Sequence, residues 1–211
     1  MHSENPWQKI PYEDYENHMS ASNVGQLKKL SEIIKARLDF LRPISFAILG
    51  SATGNGFEHV NNNITKVVYG IDINQQYLDV AKARYGEKIN DLRLICADIS
   101  TDEIKVTGVE LLIGALVFEY VDIPVALAKV REILDCDGLF VAILQKSHDG
   151  EFVTGTEYRS LQTLEPITHE ISEFEFHAEA VKHGLHKTNR ESYPVGDNKE
   201  LIALTFRKGM K

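Results

Sequence analysis

Five apolar runs in the middle of the chain set the terms for its fold. SFAILG (45–50), KVVYGID (66–72), LRLICAD (92–98), GVELLIGALVFEY (108–120) and LFVAILQ (139–145) are nearly continuous in large apolar residues. That is the pattern of strands covered on both faces rather than one. Segments of helical character lie between them. QQYLDVAKARYG follows Asn74, a residue suited to cap it, and closes on Gly86. IPVALAKVREIL carries Pro124 in its first turn, after which DCDG turns the chain into the fifth strand. The stretch from Gly54 to Asn61 is expected to be a helix ended by NNN, and HEISEFEFHAEAVKHGL a further helix closing on Gly184. Upstream, Val24, Leu27, Leu30, Ile34, Leu38 and Leu41 share one helical face that Pro43 prevents from continuing. At the end, HKTNRESYPV and ELIALTF flank GDNK, a hairpin signal. Strands alternating with helices, then a hairpin, predict an α/β fold: a doubly wound sheet of five parallel strands with an antiparallel edge.

The 211 residues are enough for one sizeable core. No apolar stretch approaches the roughly 20 residues needed to cross a bilayer, and the polar, acidic start of the chain does not look like a signal or transit peptide. The formal charge of −8 lacks the basic field that captures phosphate backbones, so neither membrane nor nucleic acid is an expected partner. Cys96 and Cys136 form no disulfide framework and no metal-spaced cluster. They read as ordinary reduced thiols of a cytoplasmic protein with no bound metal.

The turn after the first strand, AILGSATGNG (47–56), is where ligands bind in doubly wound sheets. Three glycine-rich patterns compete for it. A phosphate-cradling loop needs Gly-Lys-Ser/Thr, but Phe57 and Glu58 follow Gly56. The dinucleotide fingerprint fails from either start, ending on Asn55 or on His59 instead of glycine. The third pattern fits: the run resembles motif I of the class I S-adenosylmethionine-dependent methyltransferases. Gly50, Ala52 and Gly54 hold its three glycine positions, and Ile48 stands where that family usually has an acid.

Later segments extend the resemblance in order and spacing. Asp72 ends VVYGID, Asp98 follows LICA, LLIGALVFEYVD matches the fourth-strand motif, and VREILDCDGLFVAIL resembles the stretch leading into strand five. The resemblance implies a Rossmann-like sheet of seven strands in the order 3-2-1-4-5-7-6. It also implies S-adenosyl-L-methionine as cofactor and a small-molecule substrate. Gly50, Ser51, Ala52 and Gly54 would cradle the amino acid end. Asp72 and Ile73 would take the ribose, Asp98 and Ile99 the adenine, with Leu116 and Tyr15 completing the contacts.

Residues 1–42 are expected to form an N-terminal lid and helical extension over a cofactor-binding domain at 43–211. The segment holding Trp7, Tyr12, Tyr15 and His18 resembles the tyrosine-containing lids of small-molecule members and makes little sense as a free tail. His18, with an imidazole near neutral pKa, is a candidate base, and Glu119 and Tyr120 lie where acceptors meet the methyl group. Two other readings stay open: a non-catalytic S-adenosylmethionine-binding protein and an NAD(P)-dependent oxidoreductase. A homodimer is among the arrangements the sequence allows.

Overall fold

The computed structural model describes residues 5–148, 152–196 and 198–209. Its seven strands are β1 (Ser45–Leu49), β2 (Val67–Asp72), β3 (Leu92–Cys96), β4 (Val109–Ala115), β5 (Leu134–Ser147), β6 (Leu185–Val195) and β7 (Lys199–Lys208). They form one sheet in the order β3-β2-β1-β4-β5-β7-β6. The first five run parallel, and β7 pairs antiparallel with both β5 and β6. The expected doubly wound sheet, strand order and hairpin edge are all present, although Asp197 of the hairpin loop lies outside the described residues.

Alternation along each central strand divides the core in two. Phe46, Ile48, Leu111, Ile113, Val141 and Ile143 point to one face, where they meet helices α1 (Tyr12–Ser20), α2 (Gln26–Leu41) and α3 (Gln75–Tyr85). Ala47, Leu49, Leu112, Phe140, Ala142 and Leu144 point to the other, under α4 (Ile123–Ile133) and α5 (Glu173–Lys182). There Phe118 meets Phe140 and Phe176 edge to face, with ring centroids 5.6 and 5.1 Å apart. Both faces of the sheet are covered, as the near-continuous apolar runs require. No described helix is long and apolar enough to cross a membrane.

Several expected boundaries are corrected. The stretch from Gly54 to Asn61 is not a helix but a run of turns with a short 3-10 helix at Phe57–His59. Gly54 and Gly56 hold φ of +92° and +95°, in the left-handed region that breaks a right-handed helix. A Cβ on Gly56 would lie 2.7 Å from Ile34 of α2, so this close approach requires glycine. Strand β4 stops at Ala115, because Leu116 turns to φ +54° and Phe118–Tyr120 form a 3-10 turn. DCDG is not a turn ahead of β5 but a bulge within it, with Asp137 at φ +62° and a shifted register against β4. Helix α5 starts only at Glu173, capped by the Ser172 hydroxyl. A 3-10 segment at Arg159–Ile167, for which the sequence carries no element signal, buries Leu161 and Leu164.

Candidate active site

One pocket runs along the carboxyl edge of the parallel strands. Across the sheet, Asp98 follows β3, Asp72 ends β2, Gly50 follows β1, and Leu116 follows β4. Gln145 lies near the end of β5, and Lys199 opens β7 two strands along from β4. All six line a single space of about 1090 Å³, mouth included.

The loop after β1 is folded back onto the end of β2. The N–H groups of Gly50 and Ser51 donate to the carbonyl of Ile71 at 2.9 and 3.1 Å. The N–H of Ala52 donates to Oδ2 of Asp72 at 2.8 Å, and that of Asn74 to Oδ1 at 2.9 Å. This path needs φ of +70° at Gly50 and +44° at Ala52, so small residues are required there for backbone reasons as well as for space. Burial pushes the Asp72 carboxyl up to about 6, and the backbone donors oppose that shift. Those donors use only part of a carboxylate's acceptor capacity and leave the rest for a ligand's hydroxyl groups. Beside it the hydroxyl of Tyr77, on a fully buried ring that lines the pocket, has no hydrogen-bond partner among the described residues.

Helix α1 roofs the pocket and is tied down on both sides. Glu16 accepts from Thr53 in the loop after β1 and pairs with Arg84 of α3. On the far side Asp14 accepts from the Ser160 hydroxyl at 2.6 Å, and Nδ1 of His18 lies 2.9 Å from Oγ1 of Thr156. Ahead of α1, the Asn74 amide donates to the carbonyl of Trp7 at 2.9 Å while its Oδ1 caps the first turn of α3. Trp7 then stands edge to face against Tyr120, with centroids 5.1 Å apart, and against Tyr15 at 6.1 Å. Asn74 therefore joins a helix cap to the roof. Replacing Asn74 by alanine should lower stability by about 1 kcal/mol in urea melts and speed amide exchange in residues 5–11. Unchanged exchange there would show that the roof is held without it.

The methyltransferase domain family model matches residues 48–142. That stretch, from the first parallel strand into the fifth, is similar to a methyltransferase domain. Solved structures share its fold. Magnesium protoporphyrin IX methyltransferase from Synechocystis PCC 6803, solved with bound SAH, gives a TM-score of 0.72 at 11% identity over 96% of each chain. A TehB-like SAM-dependent methyltransferase from Corynebacterium glutamicum gives 0.61 at 18% identity, covering 94% of this chain and 98% of that one. Geranyl diphosphate C-methyltransferase from Streptomyces coelicolor A3(2) gives 0.66 at 12%, over 85% and 79%. None of the curated proteins matches the sequence.

The sheet and its roof bring most of the anticipated residues to one place. Gly50, Ala52, Asp72, Ile73, Asp98, Ile99, Leu116 and Tyr120 line the pocket, and so do Tyr15 and His18 from α1. Three do not. Ser51 is buried behind the loop, with its hydroxyl among the unpartnered buried atoms. Gly54 faces away, where a Cβ would lie 2.8 Å from Phe57 and 2.9 Å from Tyr85. Glu119 is wholly buried under the pocket floor, its Oε1 accepting the N–H of Gln145 at 2.8 Å. Its side chain therefore has no route to an acceptor.

His18 is in the pocket but not as a base poised near neutrality. Burial, helped by the Lys199 charge, pushes its imidazole down to about 4. It is neutral at neutral pH and only weakly basic. Burial likewise raises the Tyr120 phenol, with the Glu119 charge adding to the effect, so this hydroxyl stays protonated.

The sequence reading missed Gln26, Gln145 and Lys199. Gln26 donates to the Gln145 side chain, whose own amide donates to the Phe152 carbonyl at 2.7 Å. Lys199 donates to the same carbonyl at 2.7 Å and to Thr154 Oγ1 at 2.6 Å. Together they hold Phe152 and Thr154 over the pocket. The one available signal was the polar Gln145 closing the apolar run of the fifth strand.

Proposed function

We propose that the protein transfers a methyl group from S-adenosyl-L-methionine to a small-molecule acceptor, in the cytoplasm and without nucleic acid as substrate. Residues 43–211 act as the cofactor-binding unit and residues 1–42 as its cover. The observation that carries the reading is the Asp72 carboxylate, buried at the tip of β2 and facing the same pocket as the folded-back glycine loop. The pocket wall fits the group. Asp72 offers acceptor positions for a ribose diol, the unpartnered Tyr77 hydroxyl lies in the same wall, and Ile73 and Ile99 give apolar walls for a flat base near Asp98.

The bound donor supplies an activated methyl: the acceptor's lone pair bonds to the methyl carbon as the carbon–sulfur bond breaks and its electron pair stays on sulfur. The chain's own work is to position and to exclude water. Helix α1, Trp7 and residues 152–154 close the space from above. Where the acceptor carries a proton, the neutral His18 imidazole in the pocket wall can accept it as the new bond forms. The low basicity of His18 makes proximity the larger contribution.

Trp7 is the only tryptophan in the chain and lines the pocket, so its emission reports occupancy directly. Adding S-adenosylhomocysteine should change that emission and release heat, with NAD producing neither effect. Heat and an emission change with NAD alone would favour the oxidoreductase reading. Donor binding with no label passed from methyl-labelled donor to any metabolite would favour a non-catalytic binding protein.

A further inference from the structure

The pocket has two ends of different chemistry. Its carboxylates, Asp98 and Asp72, sit at the β3 and β2 end, where the proposed donor is held. The other end lies past β4, under α1 and the segment after β5. There the wall is mainly Met19, Val24, Phe152, Val153, Leu161 and Leu164. Among the described residues lining that end there is no carboxylate. Its one lysine, Lys199, is engaged with the Phe152 carbonyl and Thr154 Oγ1, which makes it a tether for the segment. The remaining polar groups are His18, Gln26, Gln145 and Thr154. The two glutamines are 4% and 5% exposed and bonded to each other, so the polar lining here is built largely of neutral amides.

A cationic acceptor entering this end would leave water without meeting a carboxylate among the described residues. An anionic one would meet only an ammonium already held by two oxygens, so either loses its hydration for little in return. A neutral one gains from apolar burial and loses nothing to ionic desolvation. We infer that the methyl acceptor is an uncharged, mostly apolar small molecule with one neutral polar group, such as a hydroxyl, seated between α1 and residues 152–164 with that group toward His18 and Gln26. Burial, the larger cause of the depressed basicity of His18, agrees with this, since surroundings that desolvate an imidazolium desolvate any other charge as well. Lys199 is the one cation among the described residues lining this end, and its Nζ already donates to two oxygens; His18 is neutral. This inference rests on the methyltransferase reading above.

A set of three ligands that share one phenol ring and differ in charge tests it: para-ethylphenol, para-hydroxyphenylacetate and tyramine. Each is titrated into the full chain saturated with S-adenosylhomocysteine, near neutral pH, by calorimetry and Trp7 emission. The neutral phenol should bind roughly tenfold or more tighter than the anion and the cation. Equal or tighter binding of hydroxyphenylacetate would mean that Lys199 recruits an anion, and equal or tighter binding of tyramine that the aromatic groups take a cation. Either result overturns the inference, as does no binding of the neutral phenol to donor-loaded protein. A Gln26→Glu variant, which puts a carboxylate into the wall, should move the order toward tyramine, and an unchanged order would place the ligands elsewhere. If S-adenosylhomocysteine itself fails to bind, it is the methyltransferase reading that falls.

Discussion

Glutamine at position 119 is expected to remove a fall in stability of on the order of 3 kcal/mol that the unaltered chain suffers as pH rises from about 4.5 through 7. Glu119 is fully buried; its Oε1 accepts one N–H, and its Oε2 has no partner among the described residues. Burial therefore raises its carboxyl from 4.5 to about 7, and the Gln145 backbone donor offsets that only in part. Below 4.5 the group is protonated both folded and unfolded and costs nothing. Between 4.5 and 7 the folded chain binds the extra proton, so stability falls as pH rises, and above 7 the full cost is present. Asp72, also raised, adds a slope of the same sign at lower pH. The difference between unaltered chain and variant isolates position 119. Urea midpoints measured across this range check it. An identical slope in Glu119→Gln would place the titrating group elsewhere.

The second large effect is on donor affinity. Asp72→Asn should weaken S-adenosylhomocysteine binding by roughly 10–100-fold near neutral pH, through loss of charge-assisted hydrogen bonds to the ribose hydroxyls. The unaltered protein should also lose affinity as pH drops below about 6, because a protonated Asp72 accepts fewer hydrogen bonds. The Asn variant should show no such pH dependence. Since Asp72 also holds the Ala52 and Asn74 amides, melts of the variant are needed to show that the loop after β1 keeps its shape. Calorimetry giving full affinity in a folded variant would remove Asp72 from the site.

What the sequence disclosed follows from how local each feature is. The central strands were legible because burial on both faces leaves a continuous apolar run, and Asp72 and Asp98 because each ends such a run. The helix expected after Gly54 was not there, because Ile34 of a distant helix packs against Gly56 and the chain turns with positive φ. No local pattern encodes that approach. Glu119, near the end of the fourth apolar run, is expected to face an acceptor, but a 3-10 turn rotates it beneath the floor. Gln26, on an otherwise amphipathic helix, looks like surface until its partner Gln145, 119 positions away, is brought against it.

The roof has a consequence for the order in which the molecule is assembled. The bonds that fasten α1 on its far side join Asp14 to Ser160 and His18 to Thr156, separations of 146 and 138 positions. Closing loops of that length is entropically costly and slow compared with pairing neighbouring elements. During synthesis Ile10, Tyr15 and Met19, all buried in the finished structure, leave the ribosome long before the residues that fasten the far side of this helix exist. The sheet can start to form without them. The far side of helix α1 is thus fastened by some of the last contacts that the chain can make.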